Sequence, residues 1–287
     1  MSGSNRSRGQ RGLALLLVIW ALTLMATVAS SFVGETGAEL RIAGAFARIA
    51  DARAVAEGGV ALAALRWLDT DPATAWLPDG KPHEATLGDA RLVITLADEG
   101  GKVDVNTAPP ELVLNLLTAL GADPGSVAAA GRLIAERRDG PPADDGSAAA
   151  PFPSAAAMVL AAGIPPAVLA RVAPFLTVYS HRARVNPLTA PREVLLAIPG
   201  IVPAEVDRFI AARSVPPRDG EPPLRLAGAD RFVAPLPPEA ATVRVTARIG
   251  TARFTREAVI AATREPSRPY RLTDWHEASE PDPGEDP

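Results

Sequence analysis

The strongest constraint in this sequence is Leu13–Val33, 21 consecutive residues without a charge. As a helix the segment is about 31 Å long, and a bilayer's hydrocarbon core is roughly 30 Å thick. Arg6, Arg8 and Arg11 precede it and no acidic residue does. The positive-inside tendency then places the N-terminus in the cytoplasm and the rest of the chain across the membrane. Three readings compete. A cleaved secretory signal is one, with small residues at Thr27-Val28-Ala29 before Ser30; its apolar region is usually only ~7–15 residues long. A plain membrane anchor is another. The third depends on the flanks. Gly12 stands at the polar-to-apolar boundary, and beyond Val33 an Ala-rich, helix-favouring sequence runs to about Leu68. Val55, Val60, Ala61, Leu62, Leu65 and Leu68 suit one face of a continuing helix.

Composition narrows the class. The 287 residues leave room for one large domain or two ordinary ones. Hydrophobic residues make up 47% but aromatics only 5%, so the apolar content is Ala, Leu and Val and favours helices. That aliphatic content excludes a disordered chain. The absence of cysteine excludes a disulfide framework and a Cys-based zinc site. A net charge of -4 argues against a dedicated nucleic-acid binder.

Two strand regions are legible. Ala90–Ala97 reads as a strand, Asp98-Glu99-Gly100-Gly101 as a turn, and Lys102–Val105 as a short returning strand. Near the end, Thr242–Ile249 and Ala252–Ala261 flank Gly250-Thr251, with Val243, Val245 and Ala247 alternating against Arg244, Thr246 and Arg248. That alternation belongs to a half-buried antiparallel strand. Asp71-Pro72 and Pro78-Asp79-Gly80 read as turns, and Trp67 and Trp76 as packing residues at the helix-to-sheet junction.

Between the strand regions lies helical sequence with an internal repeat. Val105-Asn106-Thr107-Ala108-Pro109-Pro110-Glu111 is matched by Val185-Asn186 and Thr189-Ala190-Pro191-Arg192-Glu193, with Pro187-Leu188 inserted. Gly121 to Pro124 matches Gly200 to Pro203, and Arg132, Ile134, Ala135 and Arg137 match Arg208, Ile210, Ala211 and Arg213. The unit is helix–turn–helix, used twice. Thr107 and Thr189 are the expected caps of the first helices, prolines suit the first turns, and the glycines suit left-handed residues ending them. Phe175–Ser180 reads as a strand or connector before the second copy, and Ser214–Glu239 as a proline-rich extended connector.

Enzymatic signals are weak, and no catalytic residue is assigned. His83, His181 and His276 are far apart, no Gly-x-Ser-x-Gly occurs, and Gly100-Gly101-Lys102 lacks the rest of a phosphate loop. Asp139, Asp144 and Asp145 lie in a Pro/Gly/Ala-rich loop. Ca²⁺ takes several oxygen ligands, so these are the weak metal candidates, but the loop lacks EF-hand spacing. No other cofactor is expected. Glu277–Pro287 carries five acidic residues and no basic one and reads as a disordered tail.

A membrane helix running into an amphipathic one after a boundary glycine resembles the N-terminus of type IV pilins and type II secretion pseudopilins. The resemblance implies cleavage by prepilin peptidase between Gly12 and Leu13 and N-methylation of Leu13. Most members carry Glu at the fifth mature position; here it is Leu17. The missing Glu, the inserted helical region with its two Thr-Ala-Pro motifs and the terminal hairpin resemble the K branch of the minor pseudopilins (the general secretion pathway protein K family). That resemblance implies an α+β fold, with a long N-terminal helix on a small antiparallel sheet and a large duplicated all-α insert. It also implies a non-enzymatic role at the tip of a periplasmic pseudopilus in protein export. The implied location is the bacterial inner membrane, single-pass, with the bulk periplasmic. The implied partners are I- and J-type minor pseudopilins, the major pseudopilin, prepilin peptidase and the inner-membrane assembly platform. The expected segments are a leader at 1–12, a membrane span at 13–33, and helix and first strands at 34–105. An insert follows at 106–231 (repeats from about 106 and 186), then terminal strands at 232–265 and an acidic Pro-rich tail at 266–287. The alternative is a membrane-anchored, competence-type helix-hairpin-helix DNA-binding protein. Against it, Asp104–Arg231 holds 12 Arg, no Lys and 13 Asp/Glu, too balanced to neutralise phosphates, so no nucleic-acid partner is expected.

Overall fold

The computed structural model describes residues 7–139, 150–215, 224–265 and 267–278; for 7–14, 28–42 and 139 it describes the backbone alone. One helix, α1 (Ser7–Trp67), takes up 61 residues. Its C-terminal part lies on a five-stranded antiparallel sheet of β1 (Asp79–Leu87), β2 (Ala90–Asp98), β5 (Ala240–Ile249), β6 (Ala252–Ala262) and β7 (Tyr270–Glu277), in that spatial order.

Small residues make the helix–sheet contact. Ala52, Ala56, Gly59, Val60, Ala63 and Ala64 are buried, whereas Leu65 is 68% exposed and Ala61 is also exposed. This corrects the larger apolar stripe expected from the sequence. The reason is volume: the sheet already supplies Leu92, Ile94, Leu96, Val243 and Val245 to the same core, and close-packed interiors leave no room for more. A Cβ on Gly59 would lie 2.6 Å from Val245 Cγ1. Arg256, also facing α1, is nearly fully buried; it pairs with Glu57 at 3.0 Å and sits over the rings of Phe254 and Trp275.

Both sheet edges were missed in the sequence. β1 includes the Asp79-Gly80 expected as a turn, and β7 lies inside the expected tail. Edge strands bury little on either face, so they show no clear alternation, and an edge tolerates Pro82.

The chain between β2 and β5 forms a separate helical core. β3 (Val103–Asp104) does not return along β2, as the sequence suggested, but pairs in parallel with β4 (Leu176–Thr177). The helices are α2 (Pro110–Ala119), α3 (Pro124–Asp139), α4 (Ala155–Ala161), α5 (Pro166–Val172), α6 (Arg192–Leu196) and α7 (Pro203–Arg213). The repeat units are α2–α3 and α6–α7, and α4–α5 is a third helix pair between them. Gly121, Gly163 and Gly200, with φ of 92°, 75° and 75°, turn the chain in the three pairs. Leu112, Leu116, Ile134, Met158, Leu195 and Val206 are among the side chains that fill this core. The expected Ser214–Glu239 connector is corrected in its second half: Leu226, Ala229, Phe232 and Val233 are buried in the same core, and Val233 bridges to Val185.

The insert leaves the sheet at the end nearer the C-terminus of α1. Trp76 N–H donates to Arg66 C=O at 2.9 Å, the Trp76 ring stacks on His83, and Asp98 N–H donates to Pro78 C=O at 3.0 Å. The apolar half of α1 therefore points away from the insert. Within it, Leu15–Thr27 is exposed, and the Thr23 and Thr27 hydroxyls donate back to helix carbonyls at 2.8–3.0 Å. Among the described residues no helix is long and apolar enough to cross a membrane; the side chains of 13–14 and 28–33 lie outside them.

Candidate functional site: a buried polar junction

Three carboxylates gather where the insert meets the sheet. Asp98 closes β2, Glu99 starts a single 3-10 turn (Glu99–Gly101), and Asp104 ends β3. All three are nearly inaccessible. Asp98 accepts from Gly100 N–H at 2.7 Å, Asn186 Nδ2 at 2.8 Å and the Thr189 hydroxyl at 2.8 Å. Glu99 accepts from Lys102 Nζ at 2.5 Å and from the hydroxyls of Thr177 and Thr242. Asp104 accepts from Asn106 N–H at 2.9 Å, His181 N–H at 2.9 Å and the Ser180 hydroxyl at 3.2 Å. Buried charge is tolerated when paired and hydrogen-bonded. The donors to Asp98 and Glu99 come from sheet (Thr242), insert (Thr177, Asn186, Thr189) and connecting turn (Gly100, Lys102), so these two carboxylates fasten one region to the other, while Asp104 is held within the insert. Gly101 lets the turn approach: a Cβ there would meet the Thr189 backbone at 2.9 Å. Beside the junction lies a cavity of about 140 Å³ bordered by Glu99, Tyr179, Asp274 and His276. Burial, then Asp274, pushes the Tyr179 hydroxyl up to about 12. With each carboxylate engaged by three donors, the cluster is chemically a clamp rather than an acid–base pair.

The same geometry corrects the repeat alignment. Asn186 Oδ1 accepts from Leu188 N–H, as Asp104 Oδ1 accepts from Asn106 N–H, and each residue's C=O accepts from the N–H of Ala190 or Ala108 four residues on. The partner of Asn186 is thus Asp104, not Asn106, and Pro187-Leu188 is no insertion. Each unit closes through one arginine. Arg138 donates to Val105 C=O at 3.0 Å and Ala108 C=O at 2.7 Å. Arg213 donates to the corresponding Pro187 C=O at 2.6 Å and Ala190 C=O at 2.8 Å. The sequence match pointed to Arg137, which instead donates to Ala150 C=O and stacks on Phe152. Burial lowers the Arg213 pKa.

Thr107 and Thr189 are not caps. Pro109 and Pro191 occupy the cap positions without side-chain bonds; Thr189 binds Asp98, and the Thr107 hydroxyl is buried with no partner among the described residues. Leu17 is an exposed residue of α1; Gly12 and Leu13 lie in its backbone-only stretch. Asp139 ends α3 with no described side chain, and Asp144 and Asp145 lie outside the described residues. Among the described residues no His/Cys/Asp/Glu group could hold a metal. Sequence reading missed Asp98, Glu99, Asp104 and Lys102 because it took them for a surface hairpin. The available signal was their density beside Val103 and Val105, which are too apolar for a solvated turn.

No family model and no curated protein matches the chain by sequence. A solved structure does match by shape. It is a chain of the GspK-GspI-GspJ complex from the type 2 secretion system of enterotoxigenic Escherichia coli. The match has a TM-score of 0.53 at 13% identity and covers 86% of this chain and 100% of that one. The fold is pseudopilin-like. The α+β architecture, a long helix against a small antiparallel sheet, agrees with the expectation from the sequence.

Proposed function

We propose that this chain is a minor pseudopilin of a bacterial type II secretion system, of the K type. In this reading Leu13–Val33 holds it in the inner membrane, prepilin peptidase cuts after Gly12, and Leu13 becomes the methylated N-terminus. The observation that carries the reading is polarity: the exposed apolar half of α1 and the helical insert lie at opposite ends of the sheet. A subunit held or packed through that helix presents the insert at its far end, where its bulk blocks a further subunit. The role is then to cap a periplasmic pseudopilus and help initiate it, beside I- and J-type minor pseudopilins. Leu17 fits a capping position. A subunit with none ahead of it has no neighbouring N-terminal amine to pair with, so a carboxylate there gains nothing. The work is mechanical, not catalytic, and the buried carboxylate clamp keeps the insert rigidly oriented.

Mass spectrometry of the mature N-terminus tests this directly. N-methyl-Leu13 is expected. A start at Ser30 or Ser31, or an intact Met1, overturns it. Tight, salt-sensitive DNA binding by the chain would favour the competence-type reading instead.

A further inference from the structure

The sheet has an outer face, turned away from α1, and the insert covers only part of it. Thr242, Glu257 and Val259 border the junction cavity. At the other end, by the β1–β2 and β5–β6 hairpins, the face is open and concave, with a groove of about 740 Å³ lined by Glu84, Thr86, Arg91, Val93, Arg248 and Arg253. The register sets three arginines in one row across three strands: Arg91 faces Arg248, and Arg248 faces Arg253. Directly opposed residues on one face of a sheet stand about 5 Å apart, and like charges so placed destabilise it. Two other sheet arginines are neutralised within the described residues: Arg244 pairs with Glu257 at 2.7 Å and Arg256 with Glu57 at 3.0 Å. Arg91 and Arg248 are exposed and have no such partner among the described residues. A row of guanidinium groups in a groove suits carboxylates, which they bind through two parallel hydrogen bonds.

We propose that this arginine row is a docking site for the chain's own acidic C-terminal segment, residues 279–287. Two observations select this occupant. The segment carries Glu280, Asp282, Glu285 and Asp286 and no basic residue, so its charge complements the row. It also starts in the right place. β7 runs antiparallel to β6 with Glu277 opposite Arg256, and Ala278 N–H donates to Thr255 C=O. The chain therefore leaves β7 two residues short of Arg253, heading for the β5–β6 hairpin and the row. From Arg253 to Arg91 is two strand spacings, about 10 Å, whereas nine extended residues reach about 30 Å.

The chain has no cysteine, so two engineered ones label it selectively. Nitroxides on Asp89→Cys, in the β1–β2 hairpin, and Gly284→Cys are measured by pulsed EPR in the full chain in detergent. A short, narrow distance distribution is expected at low salt. It lengthens and broadens in 1 M salt, where the screening length falls to about 3 Å, and in the double variant Arg91→Glu/Arg248→Glu. It returns when Glu280, Asp282, Glu285 and Asp286 are changed to Lys in that double variant. The salt arm needs no arginine substitution, so it stands even if the double variant folds poorly. A distribution that is broad from the outset, or unmoved by both salt and charge reversal, overturns the proposal and leaves the groove to another acidic partner.

Discussion

The two repeat units share one turn and one closing arginine but aim different polar side chains at different neighbours. In the first, Asp104 and Asn106 look inward to the insert: Asp104 binds Ser180 and His181, and Asn106 exchanges two hydrogen bonds with the Phe152 backbone at 2.8 and 3.1 Å. In the second, Asn186 and Thr189 look outward to the sheet, both donating to Asp98. The arginine closures are alike. One motif thus builds two units by the same internal bond and then spends its remaining polar groups on whatever lies beside it, helical lobe or sheet. The closing arginine belongs to the unit; the remaining polar side chains answer to its surroundings.

Substitutions at the clamp and at the two closures separate their contributions. The largest effect is expected at Glu99, which serves the clamp rather than either unit. Glu99→Ala removes the buried carboxylate shared by Lys102, Thr177 and Thr242 and costs about 3–5 kcal/mol, the range for a broken buried pair; chemical denaturation measures it, and a loss under 1 kcal/mol would make the pair no better than a surface ion pair. Next come the arginines. Arg138→Ala and Arg213→Ala should each cost about 2–3 kcal/mol, because each orphans two carbonyls. If only one of the two destabilises, the closures are not equivalent. Gly101→Ala should cost about 1–3 kcal/mol by overpacking against Thr189 and should loosen the insert from the sheet. Hydrogen exchange would then show faster amides around Val185 than around Leu112. The smallest effect discriminates best. Thr189→Val should cost about 1–2 kcal/mol by removing a donor from buried Asp98, while Thr107→Val, which removes a hydroxyl with no described partner, should be neutral or stabilising.

Tyr179, at the edge of the same junction, adds a pH signature. Its pKa is raised in the fold, so its stabilising effect is complete below the ordinary tyrosine value near 10 and is lost as pH rises toward about 12. Tyr179→Phe should flatten the alkaline limb of a stability–pH curve in that window.

Legibility followed burial. β2 and β5 each bury one face more than the other and so show their period in the sequence; β6, buried on both faces over much of its length, was legible from its hairpin with β5, whereas β1 and β7 lie at the edges and show no period. The repeat was visible, but two of its details were not. Asn106 and Asn186 share a side chain, yet it is Asp104 that makes the same turn as Asn186, since either residue type can accept from the N–H two residues on. Likewise Arg137 matched in sequence and Arg138 in space: α3 is longer than α7, and only packing decides which guanidinium faces the motif. The junction itself was illegible, because Asp98-Glu99-Gly100-Gly101 has the composition of a solvated hairpin. It is buried only because Thr177, Asn186 and Thr189, some 80 to 90 positions away, arrive to satisfy it.

By itself the sequence determined the local and the periodic: a long helix with an uncharged N-terminal stretch, three of the five sheet strands, and a twice-used helical unit turned by glycine. These follow from hydrophobic spacing and backbone preference, which act over a few residues. Tertiary structure alone decided which face of the long helix is buried, where the insert stands relative to that helix, and which carboxylates become structural. Those outcomes depend on whether a distant donor or a free volume is present, and no local pattern encodes either.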